Sequence, residues 1–180
     1  RNLRRGLDCP GWCFDLRVQE PACRDGAHDG ARVGWMALEE GVFSFAPHRD
    51  ASPTTLFEVG KATVGGDGSS FVDVDFDPFF VAHGPRKVTI VTHVQTYNIP
   101  EFVKTRQGQR ADGEPGFSVS LDTSSGPADG SEVVGWLGVP PGSGLFGGYP
   151  YRAETATDMV TRQSHIIDFA SAFRDRPYIF

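Results

Sequence analysis

The stretch Val33-Gly34-Trp35-Met36-Ala37-Leu38-Glu39-Glu40-Gly41 returns as Val134-Gly135-Trp136-Leu137-Gly138-Val139-Pro140-Pro141-Gly142, 101 positions later. A phrase repeated at that distance in a chain of 180 residues points to a repeated module. The approach to each copy has the same order. Upstream of the first, Trp12, Phe14, Leu16 and Val18 alternate with Cys13, Asp15, Arg17 and Gln19, and an acidic, Gly-rich loop follows from Glu20 to Gly30. Upstream of the second, Gly116-Phe117-Ser118-Val119-Ser120-Leu121 leads into the loop Asp122 to Gly130. Phe14 precedes Trp35 by 21 positions and Phe117 precedes Trp136 by 19, a loop difference that copies of one module tolerate. Alternation with period two is the pattern of a half-buried strand.

Working outward, the interval between the two copies reads as strand after strand. Val42 to Phe45, Leu56 to Val64, Phe71 to Phe76, Val88 to Tyr97, Phe102 to Arg110, Gly116 to Leu121 and Glu132 to Val139 are the candidates. Val72, Val74 and Phe76 share one face of their strand and the aspartates the other; Asp77-Pro78 closes it, because proline cannot continue a ladder. Apolar residues at helical spacing between caps are missing, so a helix is at most a short turn. Past Gly142 the module restarts. His165-Ile166-Ile167-Asp168-Phe169 and Phe173 repeat Val72-Asp73-Val74-Asp75-Phe76 and Phe80, and both lead to a proline and an apolar strand start. The expected architecture is all-β: an antiparallel six-stranded β-sandwich at 42–142, the C-terminal part of a preceding module at 1–41, and the N-terminal part of a following one at 143–180. Half-modules of neighbouring chains are expected to complete each other by strand complementation, or the natural polypeptide to continue in both directions.

Composition narrows the class. With 39% hydrophobic and 12% aromatic residues the chain can build a packed core. Twenty-two Gly and 13 Pro favour turns over long helices. A net charge of −6 argues against nucleic acid or an anionic membrane as the main partner. No apolar run approaches the roughly 20 residues that span a bilayer. Arg1-Asn2-Leu3-Arg4-Arg5 shows neither an initiator Met nor a signal-peptide pattern, as expected of a mature chain or a fragment. Cys9, Cys13 and Cys23 are the only cysteines. Their clustering suggests one local disulfide with one thiol over, and hence an oxidising, extracellular compartment; zinc needs a fourth ligand, and the gaps between the cysteines and His28 fit no standard zinc spacing.

The middle module resembles the H-type lectin domain of snail agglutinins and discoidin C-terminal parts. The matching residues run in order: Val74-Asp75-Phe76, Phe80, Pro85, Val88-Thr89-Ile90-Val91, Arg106, Gly116-Phe117-Ser118-Val119 and Val133-Val134-Gly135-Trp136-Leu137. The resemblance covers about 71–139 and implies a sandwich that assembles into oligomers and binds GalNAc-type sugars through polar residues near strand ends. Arg106 stands where that family has an arginine before Gly-Phe.

The residues themselves suggest a sugar site on the long strand. His93, Gln95 and Tyr97 share a face, and Asn98 follows. A ring for stacking plus amide, imidazole and, from Arg106, guanidinium donors is what carbohydrate recognition requires; the plainer alternative is a polar cross-strand row. Asp73, Asp75 and Asp77 suit calcium by ligand type but not by EF-hand spacing, and a solvated strand face explains them as well. Trp35 and Trp136 read as packing residues. There is no Gly-x-Ser-x-Gly elbow, no phosphate-binding Gly-x-x-x-x-Gly-Lys loop and no histidine pair at metal spacing, so no catalytic or metal residues are assigned. The expected function is non-enzymatic: an extracellular carbohydrate-binding or adhesion module whose partners are glycans and neighbouring copies, or else a building block of a filament or surface assembly.

Overall fold

The computed structural model describes residues 3–4, 13–14, 36–45, 55–68, 70–124, 126–146, 149–155 and 173. Eleven strands and one short helix are present among them. β1 (Leu3–Arg4) and β2 (Cys13–Phe14) make a two-residue antiparallel ladder. β3 (Gly41–Phe45), β4 (Thr55–Gly65), β6 (Thr89–Val94) and β9 (Ser131–Val139) form a four-stranded sheet in the order β3-β4-β9-β6. β5 (Val72–Asp75), β7 (Val103–Gly108) and β8 (Gly116–Thr123) form a three-stranded sheet in the order β5-β8-β7. β10 (Gly142–Phe146) and β11 (Tyr149–Ala153) pair as a hairpin. The helix α1 is Pro78–His83.

The all-β, antiparallel reading therefore holds. Between Gly41 and Val139 there are seven strands in two sheets, one for each candidate segment and one more than the expected six-stranded sandwich holds. The strand read as Val88 to Tyr97 stops at Val94, although the alternation of exposure continues to Tyr97. Trp35, Cys9, Cys23 and residues 165–169 lie outside the described residues, and of Cys13 only the backbone is described.

The chain divides into two compact units. One takes Gly60–Asp75 and Thr92–Trp136 with the described part of Arg1–Glu39. Its core joins alternate residues of several strands: Val64, Val74, Phe117, Val119, Leu121, Val134 and Trp136, with Ile99 from a loop. Phe117 and Trp136 meet edge to face at 5.4 Å, so Trp136 is a packing residue, as expected. Gly60 makes room for the indole: a Cβ there would stand 2.5 Å from Trp136 Cζ2. The turn between β7 and β8 is clamped by Arg110, whose guanidinium pairs with Asp75 and Asp112. The Arg110 guanidinium, and after it the Glu114 amide, hold the Asp112 carboxyl down at about 2. No helix among the described residues is long and apolar enough to cross a membrane.

The other unit takes Glu40–Val59, Phe76–Val91 and the described part of Leu137–Phe180. Here β3 lies along β4 with Gly41 opposite Val59 and Phe45 opposite Thr55. Phe57, on β4, is covered by Phe146 and Tyr151 of the hairpin at ring distances of 4.9 and 5.5 Å. Asp77 caps α1 by accepting from the Phe79 amide at 2.7 Å, Pro78 occupies the first turn, and Gly84 follows the last. The Asp77 amide in turn donates to Glu58 Oε1 at 2.8 Å.

Candidate functional site

The candidate site lies on β6 and the loop that follows. Strand alternation turns Thr92, Val94 and Thr96 one way, half-buried, and His93, Gln95 and Tyr97 the other, exposed. Hydrogen bonds fix the phase. Thr92 Oγ1 meets Thr105 Oγ1 on β7 at 2.7 Å and accepts from Gln107 Nε2 at 2.9 Å. Thr96 Oγ1 donates to Glu132 Oε2 and accepts from the Val133 amide at 2.8 Å. The Gln95 amide donates to the Val133 carbonyl at 2.7 Å, which keeps the chain alongside β9 beyond the end of β6.

Glu132 sets the rest of the loop. Its carboxylate is buried, and Oε1 accepts from the Asn98 and Ile99 amides at 2.7 and 2.6 Å. Three donors on one carboxylate offset the cost of taking it from water. Ile99 is drawn into the core, and Asn98 Nδ2 donates to the Ser131 carbonyl at 2.8 Å. The Asn98 amide nitrogen is thus committed to the loop. Glu132 and Gly135 were not singled out from sequence. Glu132 had a legible signal: it alternates in phase with Val134 and Trp136, so the β9 pattern already places a carboxylate on the core face.

On the exposed face, His93 Nδ1 bonds the Val94 carbonyl at 2.7 Å and Gln95 Nε2 donates to the His93 carbonyl at 3.3 Å. These contacts restrain both side chains and leave His93 Nε2 and Gln95 Oε1 without a partner among the described residues. Gln95 lies flat over Gly135, where a Cβ would stand 2.8 Å from Nε2 and 3.1 Å from Cδ. Tyr97 ends the row, 37% exposed. An imidazole, an amide and a phenol in one restrained row can exchange hydrogen bonds with hydroxyls and offer a ring face.

Arg106 does not join that row. It stands on β7 next to Thr105, and Thr105 is the residue that turns to Thr92. Arg106 and His93 therefore project away from the Thr92–Thr105 contact on opposite sides. Arg106 lies instead over the Phe71 ring, 5.1 Å from its centre, with Asp122 at 3.7 Å. Two of the three aspartates considered for calcium are otherwise engaged: Asp75 on β5 pairs with Arg110, and Asp77, beyond β5, caps α1. Among the described residues no three His, Cys, Asp or Glu side chains stand close enough to hold a metal ion. Comparison with protein-family models, with curated proteins and with solved structures finds no match to this chain.

Proposed function

We propose that the chain is a non-enzymatic, extracellular β-sandwich protein, of H-type lectin-like modules, that recognises carbohydrate through the outward row His93, Gln95 and Tyr97. The observation that carries this reading is the restraint of the row. Backbone carbonyls hold the His93 and Gln95 side chains, and Gly135 gives Gln95 a flat seat. Side chains already ordered lose little freedom on binding a weak, hydroxyl-rich ligand. Asn98 acts as a support that fixes the loop below Tyr97. The cluster of three cysteines near the start supports the extracellular placement. A glycan array probed with the 180-residue chain tests the proposal. Binding that is lost in His93→Ala and Gln95→Ala supports it. A chain that binds no sugar sinks it.

A second reading, a structural brick without sugar binding, rests on a different observation. Among the described residues β3 and β6 end the four-stranded sheet, and end strands are templates for pairing with another chain. Loss of assembly on placing a proline at Ile90, whose N–H by alternation from Gln95 faces away from β9, with glycan binding absent throughout, favours that reading.

A further inference from the structure

Three side chains of the three-stranded sheet make one cross-strand row. Arg106 on β7 is the partner of Ser120 on β8. On the other side of β8, Val72 pairs with Val119, so Phe71, one residue before β5, falls beside Ser120. The Arg106 guanidinium reaches over the Phe71 ring, and the ladder puts Ser120 on the strand between theirs. Its Oγ is fully buried and has no hydrogen-bond partner. A strand hydroxyl ordinarily finds water or a carbonyl; this one has neither, and its neighbours across the ladder are a cation and a ring. Gly108 explains where the ring lies. A Cβ there would stand 3.1 Å from Phe71 Cε1 and 3.0 Å from Ser118 Oγ.

The cation and the ring are themselves open to solvent. Phe71 is 43% exposed, and the Arg106 and Lys104 side chains are 49% and 63% exposed. Both cations share a single carboxylate, Asp122, at 3.7 and 3.6 Å. Lys104 and Arg106 against Asp122 leave one positive charge over at this end of the face, with the exposed Asp73 two residues along β5 from Phe71. A cation over a ring at an exposed site and ion pairs of that length are weak contacts. A ligand carboxylate that meets the guanidinium side-on makes two parallel hydrogen bonds and displaces them.

We infer that this face binds a carboxylated sugar residue, a uronic or sialic acid, with the Arg106–Phe71 contact as its lid. Arg106 and Lys104 receive the carboxylate, Phe71 takes the apolar face of the pyranose, and the Ser120 hydroxyl gains a partner when the guanidinium swings off the ring. The inference rests on the carbohydrate reading of the chain but uses none of the residues of the β6 row.

The test is an amide NMR titration of the whole chain with glucuronate and with N-acetylneuraminate, at constant ionic strength, against glucose and N-acetylgalactosamine. The expected result is perturbation of Phe71, Lys104, Arg106 and Ser120 by the acidic sugars alone. Affinity should fall about tenfold or more in Arg106→Gln, with a smaller fall in Lys104→Gln and at high salt. Both substitutions are at exposed positions, so folding is preserved. Perturbation by neutral and acidic sugars alike, or an affinity that Arg106→Gln leaves unchanged, overturns the inference. So does perturbation confined to His93, Gln95 and Tyr97, which upholds the β6 site alone. Perturbation of the Phe71–Arg106 patch with a silent β6 row upholds this site and removes the other.

Discussion

Two glycines of β4, five residues apart, separate steric from conformational effects. Gly60 sits under the Trp136 indole, with three ring atoms within 2.9 Å of where a Cβ would be, whereas nothing lies within 4 Å of that point at Gly65. Gly60→Ala is expected to destabilise the chain by about 1–3 kcal/mol, the usual cost of overpacking a core. Gly65→Ala should leave stability unchanged or raise it by about 0.4–1 kcal/mol, because alanine restricts the unfolded chain. Urea unfolding of the two variants measures both, and equal effects would contradict the packing of Trp136. Glu58 gives a different kind of residue-level expectation. Burial pushes its carboxyl above the ordinary 4.5; the hydrogen bond from the Asp77 amide opposes the shift and the Asp77 charge adds to it. The folded chain thus holds this proton more tightly than the unfolded chain does. The stability gained is complete below the ordinary value and is lost as pH rises through the folded one. Glu58→Gln keeps an oxygen for the Asp77 amide and cannot ionise. Relative to the wild type it should gain stability between about pH 4 and pH 7, read from urea midpoints at the two pH values. Parallel pH profiles would rule out a buried, proton-holding Glu58.

At the scale of elements, the β10–β11 hairpin depends on one close approach. A Cβ on Gly144 would stand 2.6 Å from Tyr151 Cε1 and 2.9 Å from its hydroxyl. Tyr151 covers Phe57, its hydroxyl bonds the Pro140 carbonyl at 3.4 Å, and burial raises its phenol. Gly144→Val should lift the ring off Phe57. Faster amide exchange is expected within residues 142–153, with that of β7 and β8 unchanged; uniform acceleration would show that the hairpin is not a separable element. This hairpin went unread, although Gly147-Gly148 separates its strands and is a two-residue turn signal. The Gly-Trp repeat drew 142 and beyond into a restarting module instead. Helix α1 was missed for a similar reason. Asp77-Pro78 reads equally as a strand stop and as a cap followed by an N1 proline, and Gly84 supplies the matching end. The seven strands from β3 to β9 were legible because alternation is a property of each strand alone. The candidate site was legible only to that extent. Alternation put His93, Gln95 and Tyr97 on one face, but the side to which Arg106 turns depends on which strand β7 lies against and in what register. The Thr92–Thr105 contact and the Arg106–Ser120 pairing decide that, and no local pattern encodes either.

For the whole molecule, charge and sheet edges pull in opposite directions. Among the described residues the four-stranded sheet ends in β3 and β6, and Phe79, Val81 and Tyr149 are exposed apolar side chains at 56%, 45% and 78%. Such features favour association. Against them stands a net charge of −6, which makes copies repel at neutral pH. The repulsion vanishes near the isoelectric point of about 5.3 and is screened by salt, since charges more than about 8 Å apart are largely hidden from one another at physiological ionic strength. Association through neutral strand edges and apolar side chains should therefore rise as pH falls from about 7.5 toward 5.3, and rise with added salt at the higher pH. If instead the contacts were ion pairs between opposite patches, such as the Lys104–Arg106 face of one copy and the acidic remainder of another, salt would dissolve the assembly at either pH. Sedimentation velocity across that pH range, with and without added salt, separates the two. Growth in mass promoted by salt identifies edge and apolar association, and a proline at Ile90, whose N–H faces away from β9, should then reduce it by blocking β6. Growth abolished by salt identifies charge pairing. A chain that stays at one mass throughout would show that neither the edges nor the exposed apolar side chains mediate self-assembly, and would remove the structural-brick reading while leaving glycan recognition untouched.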